Sequence, residues 1–165
     1  MFCNSTSSFE TIQILLEHGA NVNIKNKDGC TALHLALQKF DYDRENSIKA
    51  SQILLNGGSD INEKYGIYDE LLLHVIISQA VDNSIIIDCT KYLLDNGSDM
   101  SMLNENGNTI LHLVLGISDT TKIIQLIKLF LEYDINTNMV NRDGETVLHI
   151  ISKYRTNELI EVALS

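Results

Sequence analysis

The stretch Asp28-Gly29-Cys30-Thr31-Ala32-Leu33-His34-Leu35-Ala36 decides the fold, because its central part recurs along the chain. Each copy places a histidine directly after a leucine and directly before a run of apolar residues, and the four histidines are His34, His74, His112 and His149. Their spacings are 40, 38 and 37 residues. A pattern that repeats at such a period indicates an array of stacked structural repeats.

A second signature lies between the histidines, and its first copy is Leu15-Leu16-Glu17-His18-Gly19-Ala20-Asn21-Val22-Asn23. The glycine position of this signature is filled by Gly58, Gly97 and Asp134 in the later copies. It precedes the next histidine by 15 or 16 residues, whereas each histidine precedes the next glycine position by 22 to 24 residues. The variable part of each repeat therefore lies between the histidine and the glycine.

The local signals predict that each repeat contains two short helices followed by an extended turn. A threonine three residues before the histidine, as at Thr31, Thr109 and Thr146, is a favourable N-cap for the first helix. Glycine after the Leu-Leu pair closes the second helix, because glycine readily adopts the left-handed cap conformation. Asp28-Gly29 and Asp143-Gly144 indicate the tight turn. Neither short helix buries its apolar face alone, so we expect the core to form by stacking between repeats.

These residues resemble the ankyrin-repeat family. Asp28 to Ala36 is similar to the ankyrin signature Asp-x-x-Gly-x-Thr-Pro-Leu-His-x-Ala, and the stretches 106–112 and 143–149 match it again. Leu15 to Asn23 is similar to the second half of the ankyrin motif. The resemblance covers nearly the whole chain, and it implies an all-α ankyrin-repeat solenoid of helix-loop-helix-turn units with elongated inter-helix loops.

The resemblance also predicts a domain organisation. We expect one array over residues 1–165, with a partial unit 8–23, units of about 28–62, 67–101 and 106–138, and a shortened last unit 143–165. The units exceed the usual period of about 33 residues, and we place the added residues in loops at 41–47, 81–84 and 116–120. The unit 67–101 is degenerate, since Leu71 stands where the other units have threonine. Elongated, degenerate units are similar to the ankyrin-like proteins of poxviruses and other large DNA viruses, and intracellular bacterial effectors and protist proteins share this style.

Composition and missing motifs argue against most enzymatic and nucleic-acid-binding roles. The 12 basic and 22 acidic residues give a net charge of −10, which repels phosphate backbones and anionic membranes, so we expect neither as a partner. The chain has no P-loop, zinc-protease or nucleophile-elbow motif, so we expect no enzyme and no cofactor. Its three cysteines have no C-x-x-C spacing, which favours free thiols in a reducing compartment. We therefore expect a cytoplasmic protein, in the host cytoplasm if it is viral, with the nucleus left open.

The four repeat histidines suggest a metal site, but geometry disfavours one. Equivalent positions in stacked helices lie about 10 Å apart, whereas zinc ligands each lie within about 2 Å of the metal. We therefore predict no metal site. The ankyrin resemblance instead implies that the histidines hydrogen-bond neighbouring turns, so we assign structural roles to His34, His74, His112, His149, Thr31, Thr109 and Thr146.

The resemblance further implies that partners bind at the turn tips and at the exposed side of the first helices. Our candidate partner-binding residues are charged and aromatic side chains of the tips: Lys25, Lys27, Tyr65, Tyr68, Glu105 and Arg142. Exposed aromatic residues are enriched at interface hot spots. The two tyrosines of the degenerate unit thus indicate either a specificity site or a unit that has merely drifted, and the lysines are equally typical of a solvated face.

Together these features predict a monomeric protein–protein interaction module. We expect a viral or parasite factor that binds a host protein. The alternative is a truncated remnant, or a fragment of a larger ankyrin protein that acts as a ubiquitin-ligase substrate adaptor.

Overall fold

The structure is a computed structural model that describes residues 5–38, 40, 43–64, 66, 70–78 and 86–154. Among these residues the regular structure is helical, apart from isolated bridge residues, of which Val140 and Thr146 pair in antiparallel fashion. The helices are α1 (Ser5–Glu17), α2 (Ala32–Leu37), α3 (Arg44–Asn56), α4 (Leu72–Ser78), α5 (Ile86–Asp95), α6 (Ile110–Val114), α7 (Thr120–Glu132) and α8 (Val147–Tyr154). The all-α prediction is confirmed for this part of the chain. None of the described helices is long and apolar enough to cross a membrane.

The chain divides into two compact units, residues 1–72 and 73–165. In the first unit, α3 packs against both α1 and α2. Its core combines buried side chains of the helices, Leu33, Leu37 and Leu54, with buried side chains of the connecting segments, Val22, Cys30, Phe40 and Ile61. Val22 and Ile61 each belong to an extended segment. Because each of these side chains is buried in the core, it holds its segment close to the helices.

In the second unit, α7 packs against α5 and α6, and α6 also packs against α8. The largest fully buried apolar side chains of this unit are Leu73, Ile77, Ile86, Leu93, Ile110, Ile123, Leu126 and Phe130. On the surface, Tyr133 donates a hydrogen bond to Asp95, and Lys91 donates one to the Tyr133 hydroxyl at 3.1 Å. The Tyr133 hydrogen bond and the Asp95 carboxylate raise the pKa of Lys91. This cluster links α5 and α7 on their outer side.

The end of the second helix follows the sequence pattern even where the glycine is missing. Asp134 occupies the glycine position after α7 and has a φ of +56°, whereas Gly97 has +87° at the same place after α5. Aspartate is one of the few residues that visits this left-handed region. The repeat therefore continues past α7 with its backbone geometry intact.

Two predicted loops extend too far at their C-terminal ends. The loop placed at 116–120 overlaps the first residue of α7, Thr120. We placed a loop at 41–47, but α3 begins at Arg44. Asp43 caps this helix, because its carboxylate accepts hydrogen bonds from the Asn46 amide nitrogen and side chain. At the next repeat but one, Asp119 caps α7 in the same way by accepting from the backbone of Thr121 and Lys122. The loop predicted at 81–84 lies outside the described residues.

Candidate protein-binding surface

A threonine–histidine pair opens the first helix of a repeat and fastens it to the following turn. In the first unit, the Thr31 hydroxyl lies 2.7 Å from Nδ1 of His34, and the Thr31 backbone N–H donates to the same nitrogen at 3.2 Å. Because Nδ1 accepts, the proton of the neutral ring lies on Nε2. Nε2 then donates to the Glu63 carbonyl at 3.0 Å, across 29 residues of sequence.

The second unit repeats this arrangement at Thr109 and His112. The Thr109 hydroxyl lies 2.6 Å from Nδ1 of His112, and Nε2 of His112 lies 3.0 Å from the Glu145 carbonyl. In both units the histidine thus ties a helix start to the turn of the following repeat. This rigid link positions the turn tips, where a partner is expected.

Burial favours the neutral form of the first of these histidines. Desolvation is the largest effect and lowers the pKa of His34, while the hydrogen bond to the Glu63 carbonyl acts in the opposite direction. A neutral ring is required, since the accepting Nδ1 must be free of a proton.

The other two repeat histidines have different surroundings. His74 is fully buried, and Leu71 offers no hydroxyl three residues before it. His149 is exposed; its Nδ1 lies 2.7 Å from the Thr146 hydroxyl and accepts from the Thr146 backbone N–H. Among the described residues its Nε2 has no hydrogen-bond partner, in contrast to His34 and His112.

The turn tips of the first unit are held together by polar contacts. Lys25 forms an ion pair of 2.6 Å with Glu63, so this candidate residue also joins two successive turns. Asn23 adds a second link, because its side chain donates to the Gly58 carbonyl and accepts from the Asp60 backbone. Lys27 is exposed, and no ion pair or hydrogen bond of its side chain is found within the described residues.

The tips of the second unit are joined by two of the candidate residues. Arg142 donates from Nη2 to the Glu105 carbonyl at 2.7 Å, so the two tips form one surface. The contact requires glycine at position 107, because a Cβ there would lie 2.7 Å from Cβ of Arg142. The Arg142 side chain therefore packs directly against the backbone of Gly107.

Two apolar side chains flank this contact, and they were missing from the sequence-based selection. Leu103 is 44% exposed and Val140 is 47% exposed. Both stand six residues after the glycine position, where the first unit has Lys25 and Lys64. An alignment of the repeats by that glycine would have found them. Exposed apolar side chains with a polar rim are typical of protein-interaction sites.

The remaining sequence-based candidates have different outcomes. Tyr65 and Tyr68 lie outside the described residues, so the hypothesis that they form a hot spot stays a prediction. Across the described part of the chain, no group of three or more histidine, cysteine, aspartate or glutamate residues is arranged to hold a metal ion. Burial, followed by the nearby Asp28 carboxylate, raises the pKa of the Cys30 thiol, which keeps this cysteine protonated.

Known proteins share this pattern. A family model described as ankyrin repeats (3 copies) matches residues 1–65 and 77–165. An ankyrin repeat protein of Acanthamoeba polyphaga mimivirus is 33% identical over 127 residues, which cover 68% of this chain and 22% of that protein. An ankyrin repeat protein of fowlpox virus is 31% identical over 115 residues, 69% of this chain and 17% of that protein. A mouse protein named ankyrin repeat and SOCS box protein 6 is 31% identical over 107 residues, 64% of this chain and 23% of that protein.

These matches confirm the predicted resemblance, including the resemblance to proteins of poxviruses and other large DNA viruses. The gap in the family match, residues 66–76, falls in the unit that the sequence marks as degenerate. The chain spans less than a quarter of the length of each of these three relatives.

Proposed function

We propose, since the chain belongs to the ankyrin-repeat family, that this protein-interaction module is a viral or parasite factor that binds a host protein. The similarity to viral ankyrin proteins supports the viral source. The proposed place of action is the host cytoplasm, which agrees with buried cysteines at positions 30 and 89 that form no disulfide. The net charge of −10 supports a protein partner over nucleic acid or an anionic membrane.

The proposed docking surface is the pair of tips in the second unit. Leu103 and Val140 supply apolar contact area, and the bond between Arg142 and the Glu105 carbonyl holds the two tips in place. A surface that is rigid before binding loses less conformational entropy when it binds. This combination of exposed apolar side chains with a fixed backbone is the observation that carries the proposal.

Affinity capture from lysates of candidate host cells tests the proposal. We expect wild-type protein to retain a host protein and the double variant Leu103→Ser, Val140→Ser to lose it. Leu131→Ser is the matched control, because Leu131 is equally exposed but lies on α7, away from the tips. Capture that is unchanged in the double variant would place the binding site elsewhere. Failure of the control as well would show that the effect is not specific to the tips.

A ubiquitin-ligase adaptor fragment is the second candidate. One relative, which is 26% identical over 105 residues, is named an E3 ubiquitin-protein ligase, and the chain covers only 6% of it. Under this proposal the array contributes substrate binding, and ligase contacts come from other segments. Co-precipitation of ligase subunits with the array alone would contradict this division of roles, whereas capture of a substrate without ligase subunits would support it.

The proposed role is non-enzymatic, in agreement with ankyrin repeats as binding modules. The protein is proposed to act without a cofactor, and the dilute chain is proposed to be a monomer. The mass of the chain, measured by size-exclusion chromatography at micromolar protein concentration, tests whether it is a monomer.

A further inference from the structure

Leu148 is exposed at a position that other repeats bury. Each repeat has a leucine directly before its histidine, and Leu33, Leu73 and Leu111 are at most 4% exposed. Leu148 occupies the same place before His149 and is 59% exposed. The side of α8 that carries Leu148 therefore has the chemistry of a stacking face but is open to solvent.

A similar exposure occurs on α1, which is a second helix of the repeat pattern. Four residues before the glycine position, the second helices carry Leu54, Leu93 and Phe130, which are at most 5% exposed. Leu15 holds this position in α1 and is 55% exposed. The repeat pattern thus makes α1 a second helix whose core side chain faces solvent.

The two exposed faces are complementary in kind, because α8 is a first helix and α1 is a second helix. Within the chain, first and second helices of one repeat pack against each other, as α2 packs on α3 and α6 on α7. We propose that α8 of one copy packs against α1 of a second copy, so that two copies join head to tail through one composite repeat. This inference is independent of the host-protein proposal, which concerns the tips.

The hydrogen-bond pattern supplies a second match. His149 accepts at Nδ1 from the Thr146 backbone, so its Nε2 carries a proton, as in His34. His112 uses Nε2 to reach the carbonyl of Glu145, the residue before Thr146, and this carbonyl also accepts from the Asn141 backbone. The residue before Thr31 is Cys30, whose carbonyl accepts from the Asn26 backbone in the same way. In the composite repeat, Nε2 of His149 donates to the Cys30 carbonyl of the second copy.

A head-to-tail contact uses two different surfaces of the chain, so it extends to further copies unless it closes into a ring. Both copies carry a net charge of −10, and their repulsion opposes association. Salt screens such repulsion. Association is therefore expected to increase between low and moderate salt, which is the opposite of an interface that depends on surface ion pairs.

Sedimentation velocity of the full chain over a concentration series tests this inference. We expect reversible association of wild type, and a loss of roughly tenfold or more in association constant for Leu15→Glu and for Leu148→Glu, since each removes a buried leucine from the contact. Lys64→Ser is the control, because it makes the same change in net charge at a position that is exposed in every described repeat, and it should associate like wild type. Circular dichroism confirms that each variant is folded.

Mixing the two variants gives the sharpest result. Leu15→Glu keeps the α8 face and Leu148→Glu keeps the α1 face, so an equal mixture should form a 1:1 complex that does not grow further. Absence of that complex would overturn the head-to-tail contact, as would equal association of wild type and both variants. A wild-type chain that stays monomeric at every concentration would overturn it too.

Discussion

Two second helices, α3 in the first compact unit and α7 in the second, bury different kinds of side chain. In the first unit, α3 buries Leu54 together with two serines, Ser47 and Ser51. In the second unit, α7 buries only aliphatic and aromatic side chains, namely Ile123, Leu126, Leu129 and Phe130. The same backbone pattern therefore tolerates a large change in apolar content. Since each fully buried large apolar side chain contributes about 1.5–3 kcal/mol, α7 is expected to be held more firmly than α3 or α1.

The largest expected effect removes the fully buried aromatic side chain in the last turn of α7. Phe130→Ala should lower the free energy of unfolding by about 3–5 kcal/mol, the usual cost of deleting a fully buried phenylalanine. Leu15→Ala changes the equivalent position of α1, where the side chain is exposed, and should cost less than about 0.5 kcal/mol. Urea denaturation followed by circular dichroism measures both. Equal losses would show that the two helices do not differ in burial.

A smaller effect is expected at the threonine–histidine pairs. Thr109→Val removes the buried hydroxyl 2.6 Å from Nδ1 of His112 and should cost about 1–2 kcal/mol. Thr146→Val removes the same bond to His149 at a solvent-exposed pair, so water replaces the hydroxyl and the loss should be smaller. The difference in unfolding free energy between the two variants isolates the effect of burial. A larger loss at Thr146 would contradict this interpretation.

A stabilising change is expected in α5. Thr90 is fully buried, and its hydroxyl has no hydrogen-bond partner within the described structure. Thr90→Val keeps the shape of the side chain and removes the unsatisfied group, so it should raise the free energy of unfolding by about 1 kcal/mol. Thr121→Val in α7 is the exposed control and should stay within about 0.5 kcal/mol of wild type. Thermal denaturation compares them, and a lower melting temperature for Thr90→Val would refute the prediction.

The smallest effect concerns pH. Burial lowers the pKa of His34 in the folded chain, while the unfolded chain has a histidine pKa of about 6.5. As pH falls below that value, the unfolded chain takes up a proton that the folded chain does not, so stability decreases. The stability that neutral His34 contributes is therefore complete at pH values above the unfolded pKa and is lost as the pH falls below it. His34→Gln should therefore show a shallower fall in unfolding free energy from pH 7.5 to 5.5 than wild type when urea denaturation is compared at the two pH values.

Sequence reasoning predicted the backbone of the repeats well, because that backbone depends on a few residues with strong local preferences. The glycine position and the histidine spacing predict where α2, α3, α6 and α7 lie, and Asp134 follows the rule in place of glycine. The loop at 41–47 was placed too far along the chain because the N-cap signal of Asp43 was read as part of an acidic loop.

The candidate surface was predicted only in part. Position within a repeat indicates which residues form the turn tips. The described candidates at the tips are Lys25, Lys27, Glu105 and Arg142. Sequence cannot show that Arg142 reaches the Glu105 carbonyl across 37 residues, since this depends on the distance between stacked turns and on the space above Gly107. Leu103 and Val140 were overlooked because charge and aromaticity guided the selection, although the repeat alignment contains them.

Hydrogen–deuterium exchange of the dilute full chain tests the central comparison most directly, because amide protection reports local opening free energy helix by helix. The account predicts the slowest exchange in α7, where Ile123, Leu126 and Phe130 are fully buried, and the fastest among the described helices in α1, where Ile14 and Leu15 face solvent. Protection of α1 equal to that of α7 at a concentration where the chain is monomeric would contradict it.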